Sequence, residues 1–246
     1  MEIRHAPRLF VDTDLSEGSI TICDAPAHYL QHVMRMKSGE PLRLFNGRDG
    51  EWLGRIGKLS GRALQVDIEK QIRPQSAGPD IWLCAAPIKK THFDYMIEKV
   101  TELGVAVIQP MLTEHTQVRD VNVKRLGSIV TEAAEQSERL NIPEVRPLMV
   151  LPKLIADWPA DRLPIVCAEW GDALSAYEAF NSQKAKTAKK TALFTGPEGG
   201  FTAKQFEALR NLPGVIFVRL GPRILRADTA ASAALTLWQA TCGDWK

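Results

Sequence analysis

The chain has no apolar run near the roughly 20 residues that a membrane-crossing helix needs. Its first residues, Met1-Glu2-Ile3-Arg4-His5, lack the apolar core of a secretion signal. The four cysteines, Cys23, Cys84, Cys167 and Cys242, are scattered and form no C-x-x-C pair. That pattern argues against a disulfide framework or a zinc site and fits a reducing, cytoplasmic setting. Charge of one sign is missing too: 31 Lys+Arg stand against 29 Asp+Glu, for a net charge of +2. A nucleic-acid partner would therefore be held by a local patch and not by the overall field. His28 and His32 have i, i+4 spacing but no third ligand near them, so no metal is expected. His115 and the Ser and Asp residues form no hydrolytic triad pattern, and there is no internal repeat.

What is present describes two regions in 246 residues that are 45% hydrophobic and 24% charged. Residues 1–72 read as short alternating strands: Arg8–Val11, Ser19–Ile22, Leu42–Phe45, Glu51–Ile56 and Ala63–Ile68, with Asn46-Gly47 and Asp49-Gly50 as turn chemistry. Only Ala27–Met36 looks helical there, so a small β-barrel of mixed topology is expected. Ala25–Gly39 holds no acid while His28, His32, Arg35 and Lys37 accumulate. Ile72–Asp80, bearing Pro, Gly and Ser, reads as the connector, and residues 73–246 as a second domain. Its rhythm is strand then helix, repeated. Ile81–Ala85, Val105–Ile108, Pro164–Ala168, Thr191–Thr195 and Gly214–Val218 are strand runs. His92–Leu103 and the stretch from Asn122 carry helical apolar faces, which predicts a mostly parallel sheet covered by helices. Ser182–Lys190, with four lysines and no acid, reads as an exposed loop.

Two segments late in the chain concentrate the chemistry. Thr195-Gly-Pro-Glu-Gly-Gly-Phe-Thr202 follows a strand and opens a helix whose start is specified by Thr202 with Gln205 (a capping box) and Phe201 with Phe206 (a staple). Leu220-Gly-Pro-Arg-Ile-Leu-Arg-Ala-Asp-Thr-Ala230 repeats the arrangement, with Asp228 expected to cap an alanine-rich helix and Arg223 and Arg226 in an apolar turn. Strand C-termini meeting helix N-termini are where α/β proteins place a small-molecule pocket. Glycines there let a ligand touch bare backbone. Neither loop is a phosphate-binding fingerprint: no Gly-Lys-Ser/Thr follows, and no G-x-G-x-x-G precedes a ribose-binding acid.

The two segments together resemble the signature of the knotted, SPOUT-class RNA methyltransferases, and more narrowly the RsmE family, which methylates N3 of a uridine in 16S ribosomal RNA. Pro7–Val11, His28–Gly39, Phe45–Gly47, Lys99–Val105 and Glu132–Ser137 have family-like counterparts, so the resemblance spans most of the chain. Asp228 departs from the glutamate usual in the family, with a carboxylate retained.

The resemblance implies a PUA-like RNA-binding domain over 1–72. Over 73–246 it implies a methyltransferase domain with a deep trefoil knot holding S-adenosylmethionine, in a homodimer acting on small-subunit ribosomal RNA. By motif position it makes Thr195, Gly196, Gly200, Leu220, Gly221, Ile224 and Leu225 cofactor contacts, with Ala168-Glu169 near them. Arg226 is the candidate stabiliser of a uridine anion. Glu198 is either the proton acceptor or a structural acceptor of its own turn's N–H groups. Arg8, Arg35, Lys37, Lys89, Lys90, Arg119, Gln136 and Arg139 are candidate RNA contacts, and a salt-sensitive affinity is expected of them. Two other readings fit the same motifs: a methyltransferase for a different RNA, and an assembly factor that holds the cofactor without turnover. A doubly wound nucleotide-dependent enzyme lacks its phosphate loop.

Overall fold

The structure, a computed structural model, describes residues 5–60, 63–169 and 171–245, so Met1–Arg4 lie outside the described residues. The chain divides into two compact units, one of residues 1–77 with 134–142 and the other of 78–133 with 143–246.

The first unit is built on a five-stranded sheet. Its strands are β1 (Arg8–Phe10), β2 (Gly18–Cys23), β3 (Pro41–Phe45), β4 (Glu51–Ser60) and β5 (Ala63–Arg73), in the order β1-β3-β4-β5-β2. β1 runs parallel to β3, and the other neighbours are antiparallel. Alternation decides which side faces inward: in β5, Leu64, Val66 and Ile68 are buried while Gln65 and Asp67 point to water. With Leu9, Leu30, Leu42, Leu44 and Ile56 they form the core of this unit. Gly50, at φ +79°, turns the β3–β4 hairpin where any Cβ would lie 2.3 Å from the Arg73 carbonyl oxygen. The expected helix over Ala27–Met36 begins earlier, as α1 (Asp24–His28), and continues as a π-helical turn over Tyr29–Val33. β5 runs on through Ile72 and Arg73, so the irregular connector begins at Pro74.

The second unit alternates strand and helix. Its elements begin β6 (Asp80–Ala85), α2 (Lys90–Glu102), β7 (Val107–Leu112), α3 (Val123–Gln136, whose last residues belong to the first unit), β8 (Glu144–Val145), β9 (Met149–Val150) and α4 (Leu151–Ala156). β10 (Leu163–Cys167), β11 (Leu174–Ser175), α5 (Ala176–Asn181), α6 (Gln183–Thr187), β12 (Lys190–Thr195), α7 (Ala203–Arg210), β13 (Ile216–Arg219) and α8 (Ala227–Thr241) follow. All described pairings in its sheet are parallel, in the order β11-β13-β10-β12-β6-β7-β8. α2 buries Phe93, Met96, Ile97 and Val100, the stripe its 3.6-residue period demands. α8 packs on α2 and β12; Gln239 Nε2 donates to the Leu103 carbonyl (2.8 Å), and Gly104 at φ +93° leaves room for that amide. Trp82, Cys84, Phe194, Phe206 and Phe217 lie in one apolar core.

Ser182–Lys190 is not a loop throughout. Ser182 Oγ accepts from the Ala185 N–H and starts α6, and Ala185 is fully buried, so one apolar contact anchors an otherwise lysine-rich turn. Among the described residues no helix is long and apolar enough to cross a membrane.

Candidate functional site: a two-loop cavity at the strand ends

Parallel register brings the strand ends level. Thr195 of β12 pairs with Ala85 of β6, Phe194 with Val166 of β10, and Cys167 of β10 with Val218 of β13. The segments after β10, β12 and β13 therefore leave the sheet on one edge, beside the point where β12 enters between strands distant in sequence. They enclose a cavity of about 760 Å³. Thr195, Gly196, Gly200, Leu220, Gly221, Ile224 and Leu225 all line it, as do Glu198, Arg226, Ala168 and Glu169.

The first loop is firmly held. Thr202 Oγ1 accepts from the Gln205 N–H, Gln205 Oε1 accepts from the Thr202 N–H, and Phe201 and Phe206 share the core below. The Gly200 N–H donates to the Pro197 carbonyl (2.9 Å) with Gly200 at φ +64°. That bond closes the turn without Glu198, whose exposed carboxylate has no partner among the described residues. Thr195 is 2% exposed, and its hydroxyl is buried with no hydrogen-bond partner. Such orphaned groups are rare enough to call for a ligand or a water.

The second loop is held at its ends only. From Gly221 to Leu225 no backbone–backbone hydrogen bond is made among the described residues, so these N–H and C=O groups are available. Gly221 has φ +139° with open space where a Cβ would stand, and Ile224 is 82% exposed, an apolar side chain left in water at the cavity. Arg226, not Asp228, occupies the position before α8, with extended backbone and no side-chain cap. Asp228 sits one residue inside the helix: Oδ1 accepts from the Thr229 N–H (2.7 Å), and Oδ2 lies 3.1 Å from His92 Nδ1 of α2. The expected cap is thus a first-turn carboxylate, favourable to the helix N-terminus, that also ties α8 to α2. Arg226 is exposed, with no ion-pair partner among the described residues. Burial pushes the pKa of the Cys167 thiol, also on the cavity wall, up to about 12.

The candidate RNA contacts fall into different settings. Arg35 and Lys37 are exposed in the first unit, Arg35 at φ +54°; Gln136 is exposed there too, and Arg139 is half-buried. Lys89, Lys90 and Arg119 are exposed in the second unit, Lys90 beside Asp94 (3.2 Å). Arg8 is a correction. Its side chain is 2% exposed and bonds Glu51 (2.5 Å), itself fully buried, and the carbonyls of Ala134 (2.8 Å), Glu135 (2.9 Å) and Arg139 (2.8 Å). Its guanidinium lies 4.2 Å from the centre of the Phe45 ring. Burial lowers its pKa and Glu51 opposes that; its hydrogen bonds turn the guanidinium inward, to protein acceptors.

Sequence reasoning missed His115. Thr113 and Thr116, both buried, bond each other (Oγ1 to Oγ1 2.8 Å) and tighten the turn after β7 so that His115 Nδ1 donates to the Gly199 carbonyl (2.7 Å). The Thr-x-x-Thr spacing at 113 and 116 was the available signal.

Fold and pocket define a two-part α/β protein with a small-molecule site where two glycine loops meet. Models of two families match it: an RNA methyltransferase domain over residues 75–239 and an RNA methyltransferase PUA domain over residues 22–69. The chain belongs to this RNA methyltransferase family. It is 32% identical to the ribosomal RNA small subunit methyltransferase E of Rickettsia conorii, over 93% of each chain. It is 33% identical to the protein of that name from Synechocystis, over 89% of this chain and 72% of the relative. The crystal structure of ribosomal RNA small subunit methyltransferase E from Neisseria gonorrhoeae bound to S-adenosyl methionine superposes with a TM-score of 0.89 at 26% identity, over 98% of this chain and 100% of that one. The first unit is accordingly PUA-like, and the second is the methyltransferase domain with its mostly parallel sheet.

Proposed function

We propose that the chain transfers a methyl group from S-adenosylmethionine to N3 of a uridine in small-subunit (16S) ribosomal RNA, as a homodimer acting on the ribosomal subunit in the cytoplasm. One observation carries the reading: two loops present unsatisfied polar groups and exposed apolar side chains to a single cavity. The Thr195 hydroxyl and the Gly221–Leu225 backbone match the polar groups of the cofactor, while Leu220, Ile224 and Leu225 suit its adenine. The names and the bound cofactor of the relatives point the same way. The placement of β12 between β10 and β6, with α8 returning to α2, is consistent with the trefoil crossing included in this reading.

When bound, the cofactor supplies a methyl group already activated by a positive sulfur. The chain must hold both reactants in line. It must also manage N3, which carries a proton at neutral pH. Arg226 donates to a uracil oxygen as negative charge grows there, and the Glu198 carboxylate accepts the N3 proton. The free state of Glu198, with its turn closed by other bonds, supports the acceptor role over the structural one. Arg35, Lys37, Lys89, Lys90, Arg119, Gln136 and Arg139 serve the RNA; Arg8 does not.

Titration calorimetry with S-adenosylmethionine tests the pocket. Thr195→Val, which removes one hydroxyl at constant shape, should weaken binding by about three- to tenfold with an unfolding midpoint that does not fall. Failure of the unmodified protein to bind the cofactor saturably would overturn the reading.

A further inference from the structure

A second cleft is lined by Lys89, His115, Gln117, Glu198 and Gly199. It shares Glu198 with the cavity described above, so whatever occupies it stands beside that cavity. Each wall comes from a different part of the sheet edge. Lys89 precedes α2, His115 and Gln117 come from the turn after β7, and Glu198-Gly199 from the turn after β12.

One wall of the cleft is closely packed. His115 Nδ1 can only donate to the Gly199 carbonyl, so in the neutral ring the proton is on Nδ1 and Nε2 is left as acceptor. A Cβ at Gly199 would lie 3.0 Å from His115 Cβ and 3.2 Å from Nδ1, so glycine alone admits the ring this closely. The ring braces the turn that carries Glu198.

Resting on the methyltransferase reading, we propose that this cleft receives the target base and selects uracil by its imide edge. The groups lining it are complementary to that edge. Uracil presents an N3–H between two carbonyl oxygens: the Glu198 carboxylate accepts from N3–H, while the Lys89 ammonium and the Gln117 amide donate to the oxygens. Cytosine turns an unprotonated N3 toward Glu198, so two acceptors face each other and the base is rejected. His115 is a positioning residue that acts through Gly199.

The test combines binding and kinetics on the full chain. Uridine 5′-monophosphate, titrated into protein saturated with S-adenosylhomocysteine, should shift the His115 ring signals in nuclear magnetic resonance, and cytidine 5′-monophosphate should not. Lys89→Ala and Gln117→Ala should each raise KM for small ribosomal subunits by about tenfold while leaving cofactor affinity within about twofold. His115→Gln, whose amide still donates to Gly199, should restore most of the kcat lost in His115→Ala. Equal shifts by both nucleotides, or an unchanged KM in both Lys89→Ala and Gln117→Ala with the unmodified protein active, would overturn the cleft assignment alone. An unmodified protein that binds no cofactor would overturn the methyltransferase reading and the cleft with it.

Discussion

At the scale of single residues, Arg8 and Arg35 show one residue type in two settings of the same unit. Arg8 neutralises a carboxylate with no exposure and satisfies three carbonyls, while Arg35 stands in water. Removing one partner of a buried pair costs about 3 kcal/mol or more, because the other charge stays behind. Arg8→Ala should therefore lower stability by about that amount in a denaturant titration. Arg35→Ala should leave stability unchanged and reduce the slope of log affinity for RNA against log salt by about 0.7. The opposite assignment of effects would overturn the proposed division between the two arginines. The burial of Arg8 is not legible locally, because Pro-Arg-Leu-Phe looks the same whether its arginine faces solvent or a carboxylate 43 positions away. The loop residues were legible for the converse reason: glycines and an adjacent helix start constrain the backbone locally, whatever packs on them. His115 lay between, since its role depends on a backbone carbonyl 84 residues on.

At the scale of elements, α2 and α3 are fastened by Asp94. Burial alone would raise its pKa, but the hydrogen bonds from Arg125 and Lys90 outweigh it and hold the carboxyl below its ordinary value. A carboxyl depressed in the folded state stabilises fully above its unfolded pKa, about 4, and that contribution is lost as pH falls through the folded value. Asp94→Asn should thus destabilise by about 1 kcal/mol at neutral pH and by much less near pH 3, measured by urea unfolding at both. Equal losses at the two pH values would show that the charge is irrelevant. Helix starts divided along similar lines. That of α7 was legible because Thr202 and Gln205 satisfy each other within four residues. That of α8 lies two residues before the expected cap, because Asp228 has cap chemistry but spends it on Thr229 and on His92, a partner on another helix. α6 is hidden by its lysines, since the Ser182 cap and the burial of Ala185 decide it.

At the scale of the whole molecule, the near balance of charge leaves recognition to local groups, and the parallel sheet gathers the loops that hold them. The alternation of strands and helices was readable from periodicity. The strand order was not, because β12 pairs with β6 more than a hundred residues earlier, and no local pattern encodes that partner. The proposed methyl transfer to a uridine rests on the two-loop cavity and Arg226. Small ribosomal subunits lacking the modification, incubated with the protein and labelled S-adenosylmethionine and then digested for nucleoside mass spectrometry, test it directly. The expected product is 3-methyluridine, formed about 10²- to 10³-fold more slowly by Arg226→Ala with cofactor affinity retained. Saturable cofactor binding without any 3-methyluridine, or an undiminished rate in Arg226→Ala, would contradict it.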